Sequence, residues 1–237
     1  IWQMKGDGIR NDLKQEQPGV HHHEMISSLL TASTGIEVID EQIRLLYSTG
    51  YMHNHIRMYT ASVACNMGKA HWLQPSKWMY YYLLDGDIAS NTCSWQWVAA
   101  AFAVKKYYCN QENINRYTFS KQTGTFLDRS YEQIIAANIP DELKETTLLQ
   151  QTTKLPVTGK PAVDTGKPTF IYNSYNLDPQ WRKEENANRI LLLEPLHFQQ
   201  YPVNDKVIQF IINLSANING IQIFTGEIDA IVSLYQQ

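Results

Sequence analysis

The sequence is poor in the features that staple, span or export a chain. Its three cysteines, Cys65, Cys93 and Cys109, are widely spaced and form no CxxC pair. That argues against a disulfide framework and against a thiolate zinc site. No apolar run approaches the roughly 18 residues of a membrane span, so no membrane association is expected. No secretory leader is legible, and a reducing cytoplasm is the expected compartment. A basic excess is also lacking, since 20 Lys and Arg stand against 23 Asp and Glu, a net charge of -3. This balance speaks against a globally basic nucleic-acid binder, but it leaves room for a local patch at Lys105, Lys106, Arg116 and Lys121. There is no internal repeat. The adjacent His21, His22 and His23 diverge by about 100° per residue on a helix, so no metal site is expected from them.

Aromatic residues are plentiful, with 14 Tyr and 6 Trp among 237 residues, and 43% of the chain is hydrophobic. That composition supports a sizeable core. It suits a protein that stacks flat molecules, and equally one whose core is simply well filled. The chain starts at Ile1 and stops at Gln237 soon after an apparent strand. Both ends read as cut from a longer protein.

Periodicity places helices in the first half. Residues 1–33 are polar with a helical start, which Asp12-Leu13-Lys14 and the Pro18-Gly19 turn separate from a second helical stretch at 25–30. Ile36, Ile39, Ile43, Leu46 and Tyr47 mark an amphipathic helix that Gly50 ends. A second helix is expected over 52–69, with Ala61, Ser62 and Ala64 allowing close approach. A third runs from Pro75 through Trp78 to Leu84, where Trp78 reads as core packing. A fourth starts near Ser90 and carries Trp95, Trp97 and Phe102. The texture changes at 140–188, where Pro140, Pro156, Pro161, Pro168 and Pro179 punctuate an extended connector. Residues 189–237 then read as strand, helix, strand, with Val207, Ile208, Ile211, Ile212 and Leu214 on the inward face of the helix. The expected fold is mainly α: a helical domain over 1–139, the connector over 140–188, and a partial βαβ segment over 189–237.

Three segments carry the chemistry: Thr49-Gly50-Tyr51-Met52-His53-Asn54-His55-Ile56-Arg57-Met58, Asp85-Gly86-Asp87-Ile88-Ala89-Ser90-Asn91, and Trp95-Gln96-Trp97-Val98. Asn54 and Arg57 share a helix face, and Gly86 between two carboxylates lets backbone approach a ligand. Read from the residues alone, Arg57 with Asp85 and Asp87 is either part of a polar pocket or a buried ion pair bracing two helices.

The order and spacing of these segments, together with Thr34-Gly35-Ile36-Glu37-Val38-Ile39-Asp40, resemble the helical FAD-binding domain of the photolyase/cryptochrome family over residues 34–98. The resemblance implies that Asn54, Arg57, Asp85, Gly86, Asp87 and Asn91 hold FAD, with Arg57 pairing Asp85 and Asn91 facing flavin N5. It implies that Trp72 and Trp95 are the inner two electron-transfer tryptophans. No Trp lies between Trp2 and Trp72, so the place of a third, surface Trp is vacant. Asn54, Met58 and Trp97 resemble residues that touch a flipped-out pyrimidine dimer. Asn91, where plant-type cryptochromes carry an acid and insect-type ones a Cys, together with Met58 and Trp97, tilts the resemblance towards repair of cyclobutane dimers in ultraviolet-damaged DNA. The alternative is a cryptochrome-type blue-light photoreceptor that signals to a protein partner. A third reading is a helical scaffold that has lost its flavin.

Overall fold

In the computed structural model, residues 5–235 are described, and they fall into two compact units, 1–150 and 151–237. The fold is mainly α.

The first unit is built on helices α1 (Ser27–Leu30), α2 (Glu37–Thr49), α3 (Asn54–Ser62), α4 (Leu73–Tyr82), α5 (Ile88–Ala99), α6 (Gln111–Thr118) and α7 (Tyr131–Ile135). The expected apolar stripe of α2 is buried, with Ile39, Ile43 and Leu46 fully covered. Asp40 explains the fixed distance between Thr34 and the helix. Its carboxylate accepts from the Thr34 N–H at 2.9 Å, the Thr34 hydroxyl at 2.7 Å and the Gly35 N–H at 3.2 Å, which satisfies donors ahead of the first turn. Gly50 closes α2 with φ 75°, a conformation that costs an L side chain dearly. Its carbonyl then accepts from Leu84 N–H at 2.9 Å.

The helix expected over 52–69 is interrupted. It is α-helical only to Ser62, and Val63–Met67 form a π-helical turn in which Gly68 N–H donates to the Val63 carbonyl at 2.8 Å. The widened turn aims Asn66 at α5. Its Nδ2 donates to the carbonyls of Val98 at 3.1 Å and Tyr107 at 2.7 Å, so a local helix defect is stabilised by packing against a neighbour.

The polar amino-terminal segment starts with a 3₁₀ turn over Gly6–Arg10, where a helical start was expected, and continues as a strap. Two buried glutamines hold it. Gln96 of α5 donates to the carbonyls of Ile9 and Asn11 and accepts from Leu13 N–H at 2.9, 3.1 and 2.9 Å. Gln17 donates to the Ala70 carbonyl at 2.9 Å and accepts from Trp72 N–H at 2.8 Å. The three histidines follow the strap along 68–71. His22 Nε2 lies 3.0 Å from the Gly68 carbonyl, and His23 stacks on His71 with ring centroids 4.8 Å apart. Among the described residues no three His, Cys, Asp or Glu side chains are grouped to hold a metal.

The stretch expected as one connector over 140–188 is divided between the units. Strand β2 (Thr146–Thr147) pairs antiparallel with β1 (Met25–Ile26) in the first unit, and Leu143 is buried there. The second unit takes the rest, including β3 (Thr169–Tyr172). Its sheet also contains β4 (Asn188–Leu193) and β5 (Ile221–Thr225). The three strands lie parallel in the order β3-β4-β5, with Ile171 opposite Ile190 and Leu191 opposite Ile223. The sheet therefore has one strand more than the expected βαβ. The Pro-rich segment runs along its β5 side, where Gln222 exchanges two hydrogen bonds with the Ala162 backbone. Helices α8 (Pro195–Gln200), α9 (Asp205–Ser215) and α10 (Ile228–Val232) complete the unit. On α9, Val207, Ile208 and Ile211 are buried, whereas Ile212 is only half-buried and Leu214 is exposed. The inward stripe is thus narrower than the sequence suggested. No described helix is long and apolar enough to cross a membrane.

Candidate cofactor-binding site

Helices α3 and α5 each turn one face to a common hollow. From α3 come Asn54, Arg57, Met58 and Ala61, and from α5 come Ser90, Asn91, Ser94, Trp95 and Val98, all at the spacing of three or four that defines a helix face. Asp85, Gly86 and Asp87 form the turn between α4 and α5 at the same place. The cavity holds about 360 Å³, within the range of cofactor pockets. All the expected site residues except Trp72 line it.

The Arg57–Asp85 pair does not form a buried brace. Arg57 Nη2 donates to both Asp85 oxygens at 2.9 Å, and its Nε donates to the Met52 carbonyl at 2.8 Å. The Asp85 side chain is 59% exposed. The pair therefore stands at the cavity rim, where such contacts stabilise by about 0–1 kcal/mol, and its arrangement serves orientation more than stability. Asp87 has a structural role that the sequence reading did not assign. It is the N-cap of α5, and its Oδ1 accepts from Ser90 N–H at 2.7 Å. Gly86 suits the tight turn: a Cβ there would meet the Leu83 carbonyl oxygen at 3.0 Å and the Tyr80 ring at 3.2 Å, so the neighbours would have to give way slightly.

Asn91 donates its Nδ2 to the Ser76 carbonyl at 2.9 Å. That bond uses one of the two amide N–H donors and leaves the other donor and the amide oxygen available at the cavity. Trp95 is buried against the cavity, while Trp97 is 45% exposed and tilts over Tyr107 with centroids 5.7 Å apart. Residues outside those motif segments also line the hollow: Ala61, Met79, Leu83, Cys93, Ser94 and Phe102. Ala61 and Ser94 continue the spacing of Asn54 and Asn91 along their helices, and that periodicity was the available signal. Burial pushes the Cys93 thiol above its ordinary range.

Trp72 lies elsewhere. It precedes α4, fully buried, and its Nε1–H donates to Asp12 Oδ1 at 2.5 Å. Of the expected basic patch, Lys106 turns back into the chain rather than outwards: burial lowers its pKa and the nearby charge of Lys69 adds to the effect.

The sequence pattern of the FAD-binding domain of DNA photolyase matches residues 3–129, more than half of the chain. The chain belongs to this family. Several relatives named deoxyribodipyrimidine photo-lyase are similar to it. That of Escherichia coli (strain K12) is 40% identical over 67 residues, which is 28% of this chain and 14% of the relative. That of a Synechococcus strain is 32% identical over 95 residues, 40% of this chain and 20% of the relative. That of Neurospora crassa is 39% identical over 67 residues, 28% of this chain and 11% of the relative. The matched part of the chain thus spans a fifth or less of the length of these relatives. No solved structure matches it significantly.

FAD is the cofactor of this photolyase domain, and the cavity suits part of such a molecule. Trp95, Met58 and Val98 offer apolar surface to a flat ring. Asn91 offers an acceptor, Arg57 a cation, and Asp85 and Asp87 offer acceptors for N–H or hydroxyl donors.

Proposed function

We propose that this photolyase-family chain carries the flavin-facing side of an enzyme that repairs cyclobutane pyrimidine dimers in ultraviolet-damaged DNA, driven by light. The observation that carries the reading is the convergence of Asn54, Arg57, Met58, Asp85, Gly86, Asp87, Asn91, Trp95 and Trp97 on one cavity. Residues 1–139 would form the FAD-binding domain, and the protein would work in the cytoplasm.

When bound, FAD supplies the light-driven electron that opens the dimer. The chain's own residues bind and orient. Asn54, Arg57, Asp85 and Asp87, with the Gly86 backbone, hold the cofactor. Asn91, anchored on Ser76, would face the flavin N5 edge, where its amide can donate or accept, and stays neutral. Trp97 and Met58 give a dimer turned out of the DNA stack a flat and a pliable apolar contact, and Asn54 bonds its base edge. Trp95 and Trp72 feed electrons inwards.

The test is blue-light illumination of the full-length, fully reduced protein with ultraviolet-damaged DNA. Restored pyrimidine absorbance supports the reading, and it should be lost in Trp97→Ala while flavin content holds. Absence of repair with intact photoreduction would favour the photoreceptor instead, a reading to which the vacant third Trp position lends support. Absence of any flavin in the full-length protein would leave the scaffold.

A further inference from the structure

We infer that Asp12 is the proton acceptor for Trp72, and that this proton transfer makes Trp72 the terminus of the electron-supplying path. The inference rests on the reading of Trp95 and Trp72 as electron carriers and goes beyond it.

The geometry is specific. Trp72 has no solvent exposure, so its indole proton cannot leave directly to water. Its Nε1–H points at Asp12 Oδ1, within hydrogen-bond reach. Asp12 is itself held in place. Its Oδ2 accepts from Gln17 N–H at 2.7 Å, and the same Gln17 grips the Trp72 backbone N–H through its side chain. The group beside Asp12 Oδ1 is His71, with Nε2 at 3.4 Å. Burial lowers the His71 pKa below its ordinary value, so at neutral pH the ring adds no formal charge; its Nδ1 accepts from Leu73 N–H at 3.3 Å, which leaves the neutral ring's Nε2–H facing the Asp12 carboxylate. The Asp12 side chain is 18% exposed, which gives a proton received there a way out to solvent.

The chemistry balances. An electron leaves Trp72 towards Trp95, drawn by a light-excited oxidised flavin as the oxidant. The indole left behind is a radical cation, a far stronger acid than neutral indole. Its Nε1–H bond breaks, the proton goes to Asp12 Oδ1, and a cation beside a carboxylate becomes a neutral indolyl radical beside a carboxylic acid. In a buried site that exchange removes two charges from a poorly solvating medium. It also blocks recombination, because returning the electron now requires returning the proton. No Trp stands between Trp2 and Trp72 in the sequence, and with no further indole in that stretch the proton transfer holds the oxidised site long enough for reductant to arrive.

The test is laser-flash absorption of the full-length flavoprotein, comparing wild type with Asp12→Asn and Asp12→Glu. Wild type should convert the cationic tryptophan spectrum to the neutral one with a solvent deuterium isotope effect. Asp12→Asn should keep the cationic spectrum until recombination and lose photoreduction yield several-fold, and Asp12→Glu should restore both. The indole ¹⁵N–H signal of Trp72, read in the flavin-free full-length protein, should move upfield in Asp12→Asn, which reports the bond independently of the flavin. Unchanged deprotonation in Asp12→Asn, or no isotope effect in wild type, overturns the inference even if Asp12→Asn folds poorly. A Trp95→Phe variant with wild-type photoreduction would instead overturn the electron-carrier reading on which it rests.

Discussion

Asn91 shows how one side chain ties the site to the fold. Its amide nitrogen donates to the Ser76 carbonyl, so an Asn91→Asp change does two things. It sets a carboxylate against a carbonyl oxygen that has lost its donor, which should lower stability by about 1–3 kcal/mol in urea titrations. It also places negative charge beside the proposed flavin ring, which should lower the reduction potential of the bound cofactor. An unchanged potential with lowered stability would leave Asn91 as a structural residue only. The cysteines make a separate point at this scale. Burial raises the Cys109 thiol to about 12 and the Cys65 thiol further still, while Cys93 lines the cavity and is only half-buried. Since the thiolate is the nucleophile, mild alkylation of the native protein should label Cys93 first and leave Cys65 and Cys109 until the chain unfolds. Added FAD should slow the labelling of Cys93, read by mass spectrometry.

At the level of elements, the regular helices were legible and the places where tertiary contacts override local preference were not. The stripe Ile39, Ile43, Leu46 gives α2 directly, and Gly50 marks its end. The break at Ser62 was hidden, because Val63-Ala64-Cys65-Asn66-Met67 carries no helix breaker; only the pull of Asn66 on the Val98 and Tyr107 carbonyls explains it. The cap formed by Asp87 was overlooked because the same residue stood in a binding motif, although an Asp three residues before Ser90 is also an ordinary helix-start signal. Gly50 invites a direct test. A methyl group there would lie 2.5 Å from Leu84 Cγ, on a residue with φ 75°. Gly50→Ala should cost about 1–2 kcal/mol from backbone strain and about 1–3 kcal/mol from overpacking, seen as a lower midpoint in urea denaturation.

Across the whole chain, the pattern of Pro and Thr at 140–188 pointed to a linker because neither the period of a strand nor that of a helix is visible there. Strand Thr169–Tyr172 has only four residues, and its pairing partner lies beyond an irregular loop, so local sequence had little to announce it. The site was legible through motif order, whereas the separation of Trp72 from the cavity and its bond to Asp12 depend on a strap with no periodicity. The two compact units should unfold in separate calorimetric transitions. FAD should raise only the transition of the helical unit, by about 2.7 kcal/mol at a free concentration of 100 times its Kd. A single transition that moves as a whole would show the units to be thermodynamically coupled.

The glutamine pins give the strap a meaning for spectroscopy. Gln96 stands between Trp95 and Trp97, and its side chain grips Ile9, Asn11 and Leu13, the segment that keeps Asp12 against Trp72. Peeling that segment away would wet an indole whose ring nitrogen is bonded to a carboxylate. Trp72 emission would then shift to the red while the helices were still intact. The chain carries its own optical gauge of whether its amino-terminal clasp is fastened.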